Sequence, residues 1–139
     1  MDKQKVLIVE DCPVMRLVIK RTLLMSGIPI ARIFEANHGK EGLETLQEHS
    51  IDFIIADINM PVMDGLEMLE EIRLNDKTSA IPVLTVSTES NRKRIGFIEV
   101  LSTGFVHKPF TPEKLRDMIM KMLGPQWSGR PPVGINGST

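Results

Sequence analysis

The sequence predicts an α/β protein, one domain built as a doubly wound parallel sheet. Three observations carry this. Short apolar runs recur: Lys5-Val-Leu-Ile-Val9, Ile51-Asp-Phe-Ile-Ile-Ala56, Ile81-Pro-Val-Leu-Thr-Val86 and Gly104-Phe-Val-His107. Segments with helical spacing separate them, an alternation that parallel sheets with crossover helices produce. And each run ends on a chemically loaded residue: Glu10-Asp11, Asp57, Ser87 and Lys108-Pro109.

Taken in order, the first run is followed by Val14, Leu17, Val18, Leu24 and Met25, whose period near 3.6 predicts a helix with those residues inward. Pro13 suits its first position, and Gly27 and Pro29 stop it. Ile30 to Ala36 reads as a strand whose Arg32 and Glu35 suggest a sheet edge. His38 to Glu48 is a short helix with Leu43 and Leu46 inward. Phe53-Ile-Ile-Ala56 is nearly continuous apolar, as a central buried strand is. A loop from Asp57 to Asp64, punctuated by Pro61 and Gly65, leads to Asp64-Gly-Leu-Glu67, a variant capping box. Leu66, Leu69 and Ile72 then line one helix face. The fourth helix, Asn91 to Leu101, is expected to bury Ile95, Ile98 and Leu101. Thr111-Pro112 caps a last helix burying Leu115, Met118, Ile119 and Met122. Five strand–helix units fill residues 1–123. Gly124 to Thr139, rich in Gly, Pro, Ser and Thr, reads as a flexible tail.

Composition narrows the function. The chain has 139 residues, 42% hydrophobic and 25% charged, the balance of a soluble globular protein. A net charge of −1 provides no general field for nucleic acid or an anionic membrane. No apolar run approaches a bilayer span, and no signal peptide precedes the first strand. The single cysteine, Cys12, forms no internal disulfide, which fits the cytoplasm. The nine methionines mostly fall at helical core positions.

If the runs are parallel strands, their tips share one sheet edge, where open α/β sheets bind ligands. Glu10 and Asp11 then meet Asp57. Three carboxylates so close repel unless protonated or bound to a cation. A hard divalent ion resolves the conflict, and Mg²⁺ suits best, since it takes one or two carboxylates and leaves room for phosphate oxygens. The scattered His38, His49 and His107 make no zinc set. Lys108 adds a positive charge and Ser87 a hydroxyl. Carboxylate, magnesium, lysine and hydroxyl are a set for phosphoryl transfer, with aspartate as nucleophile.

Val6-Leu-Ile-Val-Glu-Asp11, Asp57-Ile-Asn-Met-Pro61 with Asp64-Gly65, Pro82-Val-Leu-Thr-Val-Ser87 and Gly104-Phe-Val-His-Lys-Pro-Phe110 resemble the receiver domain of bacterial two-component response regulators, above all single-domain CheY-like chemotaxis regulators. The likeness spans residues 4 to 123. It implies the flavodoxin-like, CheY-like (βα)5 fold with strand order 2-1-3-4-5. It implies that Asp57 is the phosphoacceptor, served by a sensor histidine kinase. Mg²⁺ would be held by Asp11, by Glu10 through water, by the Asp57 carboxylate and by the Asn59 backbone carbonyl. Lys108 would pair with the phosphoryl group, Ser87 would move toward it, and Phe105 would be an aromatic toggle. Asn59 and Glu89 would tune dephosphorylation toward a short-lived state. Lys108-Pro109 would be a cis peptide. A downstream effector protein would read the face of helix 4, strand 5 and helix 5, which includes the basic cluster Asn91-Arg-Lys-Arg94. The implied protein is a cytoplasmic signalling switch, a monomer or a dimer formed on phosphorylation, with no direct nucleic-acid partner and no membrane insertion.

The chain departs from the family at Glu10, often Asp, at Ser87, often Thr, at Phe105, a tyrosine in the chemotaxis subgroup, and at Ile58, a tryptophan there. Its only tryptophan, Trp127, lies in the tail. Two other readings remain within the class: a phosphorelay intermediate that passes its phosphoryl group to a histidine phosphotransfer protein, and a pseudo-receiver that works without phosphorylation. A haloacid-dehalogenase-like phosphatase needs a second aspartate where Asn59 stands. A dinucleotide fold needs Gly-x-Gly-x-x-Gly where Glu10-Asp-Cys-Pro13 stands.

Overall fold

The computed structural model describes residues 2–60 and 62–123. Within them strands and helices alternate: β1 (Gln4–Val9), α1 (Pro13–Met25), β2 (Ile30–Ala36), α2 (Gly39–Glu48), β3 (Phe53–Asp57), α3 (Gly65–Leu74), β4 (Val83–Ser87), α4 (Arg92–Leu101), β5 (Gly104–His107) and α5 (Pro112–Met122). The strands form one parallel sheet in the order β2-β1-β3-β4-β5, as expected. β2 is an edge, and its Arg32 and Glu35 are exposed there. The expected tail, with Trp127 and Arg130-Pro-Pro132, lies outside the described residues.

Strand alternation builds two cores. Val6, Ile8, Phe53 and Ile55 point to one face, where Ile19 and Leu23 of α1 and Leu115 and Ile119 of α5 cover them. Leu7, Val9, Ile54 and Ala56 point to the other, beneath Leu69 and Ile72 of α3 and Ile98 of α4. Both faces of β1 from Val6 onward and of β3 are therefore buried, which is why residues 6–9 and 53–56 are all apolar.

Side-chain caps set the helix starts. Asp64 accepts from Glu67 N–H, Asn91 from Arg94 N–H and Thr111 from Lys114 N–H. His38 caps α2 through Nδ1, and His49 ends that helix, so both histidines serve helix ends. Phe105 and His107 meet edge-on, ring centroids 4.9 Å apart.

The face expected of α1 is corrected. Val14, Leu17, Val18, Leu24 and Met25 are all exposed, Met25 at 83% and Val14 at 71%. The inward residues are Ile19, Thr22 and Leu23, with Met15 beside them. The helix is apolar nearly all round, so period alone does not choose its face. Thr22 is tolerated inside because its hydroxyl donates to Val18 O at 2.9 Å. In α4 only Ile98 is fully buried, Ile95 and Leu101 being half-buried.

Candidate functional site

The strand tips that the sequence marks do converge. Val9 pairs with Ala56, which places Glu10 beside Asp57. Asp57 faces Val86 and Ser87 faces His107, so the loaded residues of β3, β4 and β5 leave the sheet at one level. The chain reverses its winding direction between β1 and β3, and that switch point is where open sheets hold ligands.

Ligating atoms of Glu10, Asp11 and Asp57 lie within 4.8 Å of one another. Glu10 and Asp57 are buried, whereas Asp11 is exposed at the mouth. Lys108 Nζ bridges the two buried acids, 2.9 Å from Glu10 Oε1 and 3.3 Å from Asp57 Oδ1. Burial pushes both carboxyls above their usual range; Lys108 opposes this, and each neighbouring acid reinforces it. Burial pulls Lys108 down, but the hydrogen bond to Glu10 and the charges of Asp57 and Glu10 outweigh that and raise it. Three carboxylates against one ammonium leave about two negative charges uncompensated, the donor chemistry that a hard divalent cation fits.

The loops hold these groups in place. Lys108 N–H donates to Ser87 O at 2.8 Å, fastening β5's exit to β4's, and the Lys108–Pro109 peptide is cis. Cys12 N–H donates to Glu10 Oε2 at 3.2 Å. Asn59 N–H reaches back to Asp57 Oδ1 at 3.4 Å, and Gly65 N–H donates to Ile58 O at 2.8 Å. A Cβ on Gly65 would collide with Asp57 O and stand 2.6 Å from Ile58 Cα, so the close turn behind the site demands glycine.

Ser87 is fully buried, and its Oγ accepts from Glu89 N–H at 2.9 Å. Asn59 Nδ2 donates to Thr88 Oγ1 at 3.0 Å, a bridge from the β3 loop to the β4 loop that the sequence did not announce. The Glu89 carboxylate turns toward α4, where Arg94 Nε lies at 2.7 Å and Asn91 N–H at 3.1 Å. Those partners hold it below its usual carboxylate range. One charge of the basic cluster at the α4 start is thus taken up inside the chain. Phe105 is half-buried against the core beneath α4. Ile58 is buried. Arg16, absent from the sequence reading, donates to the Glu10 carbonyl at 2.7 Å; its place one turn beyond Asp11 was the only signal.

A parallel five-stranded α/β fold with an acidic cluster and a lysine at its switch point defines a class, the phosphoacceptor receiver. Comparison with known proteins agrees. The model of the response regulator receiver domain matches residues 6–120. Chemotaxis protein CheY1 of Helicobacter pylori is 34% identical over 124 residues, covering 86% of this chain and 97% of that protein. Chemotaxis protein CheY of Pseudomonas aeruginosa is 36% identical over 122 residues, covering 86% and 95%. The solved structure of chemotaxis response regulator CheY4 of Vibrio cholerae superposes with a TM-score of 0.78 at 32% identity, covering 88% of this chain and all of that one. The chain belongs to the response regulator receiver domain family and is homologous to the CheY regulators. Receiver domains are signalling switches that bind Mg²⁺ at an acidic pocket; CheY-like members are phosphorylated by histidine kinases and bind downstream targets. Among the described residues no helix is long and apolar enough to cross a membrane.

Proposed function

We propose that Asp57 takes a phosphoryl group from a histidine kinase and that the resulting charge switches a protein-binding face in a chemotaxis-like pathway in the cytoplasm. The observation that carries the reading is the cluster itself: Asp57 at the tip of the central strand, between two further carboxylates and Lys108 Nζ. An Asp57 carboxylate oxygen attacks phosphorus, the bond to the donor breaks, and an acyl phosphate forms on the side chain. Glu10, Asp11, the Asp57 carboxylate and the Asn59 main-chain carbonyl would hold Mg²⁺. When bound, the ion would offset charge on the phosphoryl oxygens. Lys108 keeps its proton in this setting and supplies the other positive charge.

The adduct adds nearly two negative charges and three acceptor oxygens. Ser87, the last residue of β4, supplies a hydroxyl; by turning toward them it gives up Glu89 N–H and pulls the β4 loop inward. Phe105 then occupies the space vacated. The affected surface is α4, β5 and α5, where Phe97 and Val100 stand exposed beside Arg92 and Lys93. Exposed apolar residues rimmed by positive charge suit an effector with an acidic, partly apolar surface. Asn59 and Glu89 set the lifetime, Asn59 tethered to Thr88 of the β4–α4 loop and Glu89 to Arg94 of α4.

The test is incubation with acetyl phosphate and Mg²⁺, read by intact mass over time, beside Asp57→Asn and a magnesium-free control. The expected result is one phosphoryl adduct that needs both Asp57 and Mg²⁺. Without an adduct, beryllofluoride binding distinguishes fast hydrolysis from a pseudo-receiver; no binding either would refute the proposal.

A further inference from the structure

Arg16 joins three separate segments. Its Nη1 donates to the Glu10 main-chain carbonyl at 2.7 Å and to Asn37 Oδ1 at 2.9 Å, and its Nε donates to Glu35 Oε1 at 3.0 Å. The side chain is only 17% exposed; its bond to the Glu10 carbonyl is part-buried, whereas those to Glu35 and Asn37 lie at the surface. The Asn37 amide has a fixed direction. Its Nδ2 and its main-chain N–H both donate to Glu41 Oε1, which leaves Oδ1 to face Arg16. Glu41 lies in the first turn of α2, where its own N–H is capped by His38. A run of hydrogen bonds therefore leads from α2, through the end of β2, to the tip of β1. The Glu10 residue is held from both sides, its N–H by Ala36 O at 3.0 Å and its carbonyl by Arg16.

We infer that Arg16 is a positioning residue for the magnesium site. By fixing the Glu10 carbonyl it fixes the direction in which the Glu10 and Asp11 side chains leave the strand, and so the arrangement of carboxylates that the ion meets. This rests on the reading above, in which Glu10, Asp11 and Asp57 hold that ion. Mg²⁺ demands near-octahedral geometry, so a shifted β1 tip weakens it. The guanidinium spreads its donors over Nε and Nη1 in a rigid plane, whereas the three donors of a lysine sit on one nitrogen at the end of a flexible stem.

The sign of the effect separates positioning from charge. As a mere positive charge near the acids, Arg16 would repel Mg²⁺, and its removal would tighten binding. As a positioning group, its removal loosens binding. Arg16 does not contact the Asp57 carboxylate that would react, so the phosphorylation rate at saturating Mg²⁺ should not follow.

The experiment is calorimetric titration of Mg²⁺ into the full chain for the wild type, Arg16→Met, Arg16→Lys and Asn37→Ala, with metal-free thermal unfolding as the folding control. Arg16→Met is expected to bind Mg²⁺ about tenfold more weakly, the usual cost of losing a group that orients ligands. Asn37→Ala shifts affinity the same way by less, and Arg16→Lys does not restore it. In phosphorylation by acetyl phosphate, the half-saturating Mg²⁺ rises by the same factor while the plateau rate stays within about twofold. Unchanged or tighter Mg²⁺ binding, full rescue by lysine, or a loss confined to the plateau rate would each overturn the inference. Should Arg16→Met lack a cooperative unfolding transition, Asn37→Ala decides, since it removes one acceptor and leaves the guanidinium. A wild type that binds no Mg²⁺ would instead remove the magnesium reading itself.

Discussion

Replacing Lys108 with methionine keeps most of the side-chain stem and removes the one ammonium that faces Glu10 and Asp57. Glu10 is 1% exposed, Asp57 5% and Lys108 15% at the side chain, so solvent screens these contacts poorly. At 2.9 and 3.3 Å the two attractions are worth about 1.4 and 1.3 kcal/mol even at the dielectric of water, and more inside the pocket. The lysine's own lost hydration offsets part of this. The expected net loss in metal-free protein at pH 7 is about 2 kcal/mol, a fall in Tm of about 8 °C for a domain of this size. Burial already raises both carboxyls, and without Lys108 they rise further. A raised carboxyl contributes stability at low pH that is lost as pH climbs through its folded value. Acidification from neutral toward the usual carboxylate range should therefore stabilise the metal-free wild type and stabilise the variant more, narrowing the gap to less than about half. Saturating Mg²⁺ at pH 7 narrows it too, because the ion stabilises the folded state of both proteins and the variant, without the competing ammonium on Glu10 and Asp57, binds it more tightly. The assay is thermal unfolding of both proteins across that pH range, with chelator or with Mg²⁺. A gap that ignores pH and metal alike would show that Lys108 stabilises by packing its stem, and the electrostatic account of the cluster would be wrong.

Two further substitutions probe the loop behind the site. Gly65→Ala forces a methyl group into the Asp57–Ile58 backbone, with Ile58 Cα only 2.6 Å away. A loss of about 2–3 kcal/mol in urea unfolding and slower adduct formation are expected, and a neutral result would mean that the turn relaxes freely. Val62 holds a φ of 70°, rare for a β-branched residue, and is 75% exposed, so little packing depends on it. Val62→Asn should stabilise by about 1 kcal/mol; destabilisation in the same measurement would count against strain at this position.

The sequence determined the alternation of elements, the edge position of β2, the buried character of β1 and β3, the caps at Asp64 and Thr111, and the residues at the tips. Each is local or periodic: a strand buried on both faces is apolar throughout, and a helix start needs an acceptor for its free N–H groups. Parallel pairing then brought the marked carboxylates and Lys108 together without further instruction. Tertiary structure alone decided the rest. It chose which face of α1 is inward, because a helix apolar on nearly every side offers no contrast, and packing on β1 buried Ile19 and Leu23 while leaving Val14 and Met25 in solvent. It paired Glu89 with Arg94 and Asn59 with Thr88, bonds set by where two loops meet. It also set Arg16 against Glu35 and Asn37, contacts that exist only because α1 and the end of β2 come together beside the tip of β1, a conjunction of segments about twenty residues apart that no local pattern in the chain encodes.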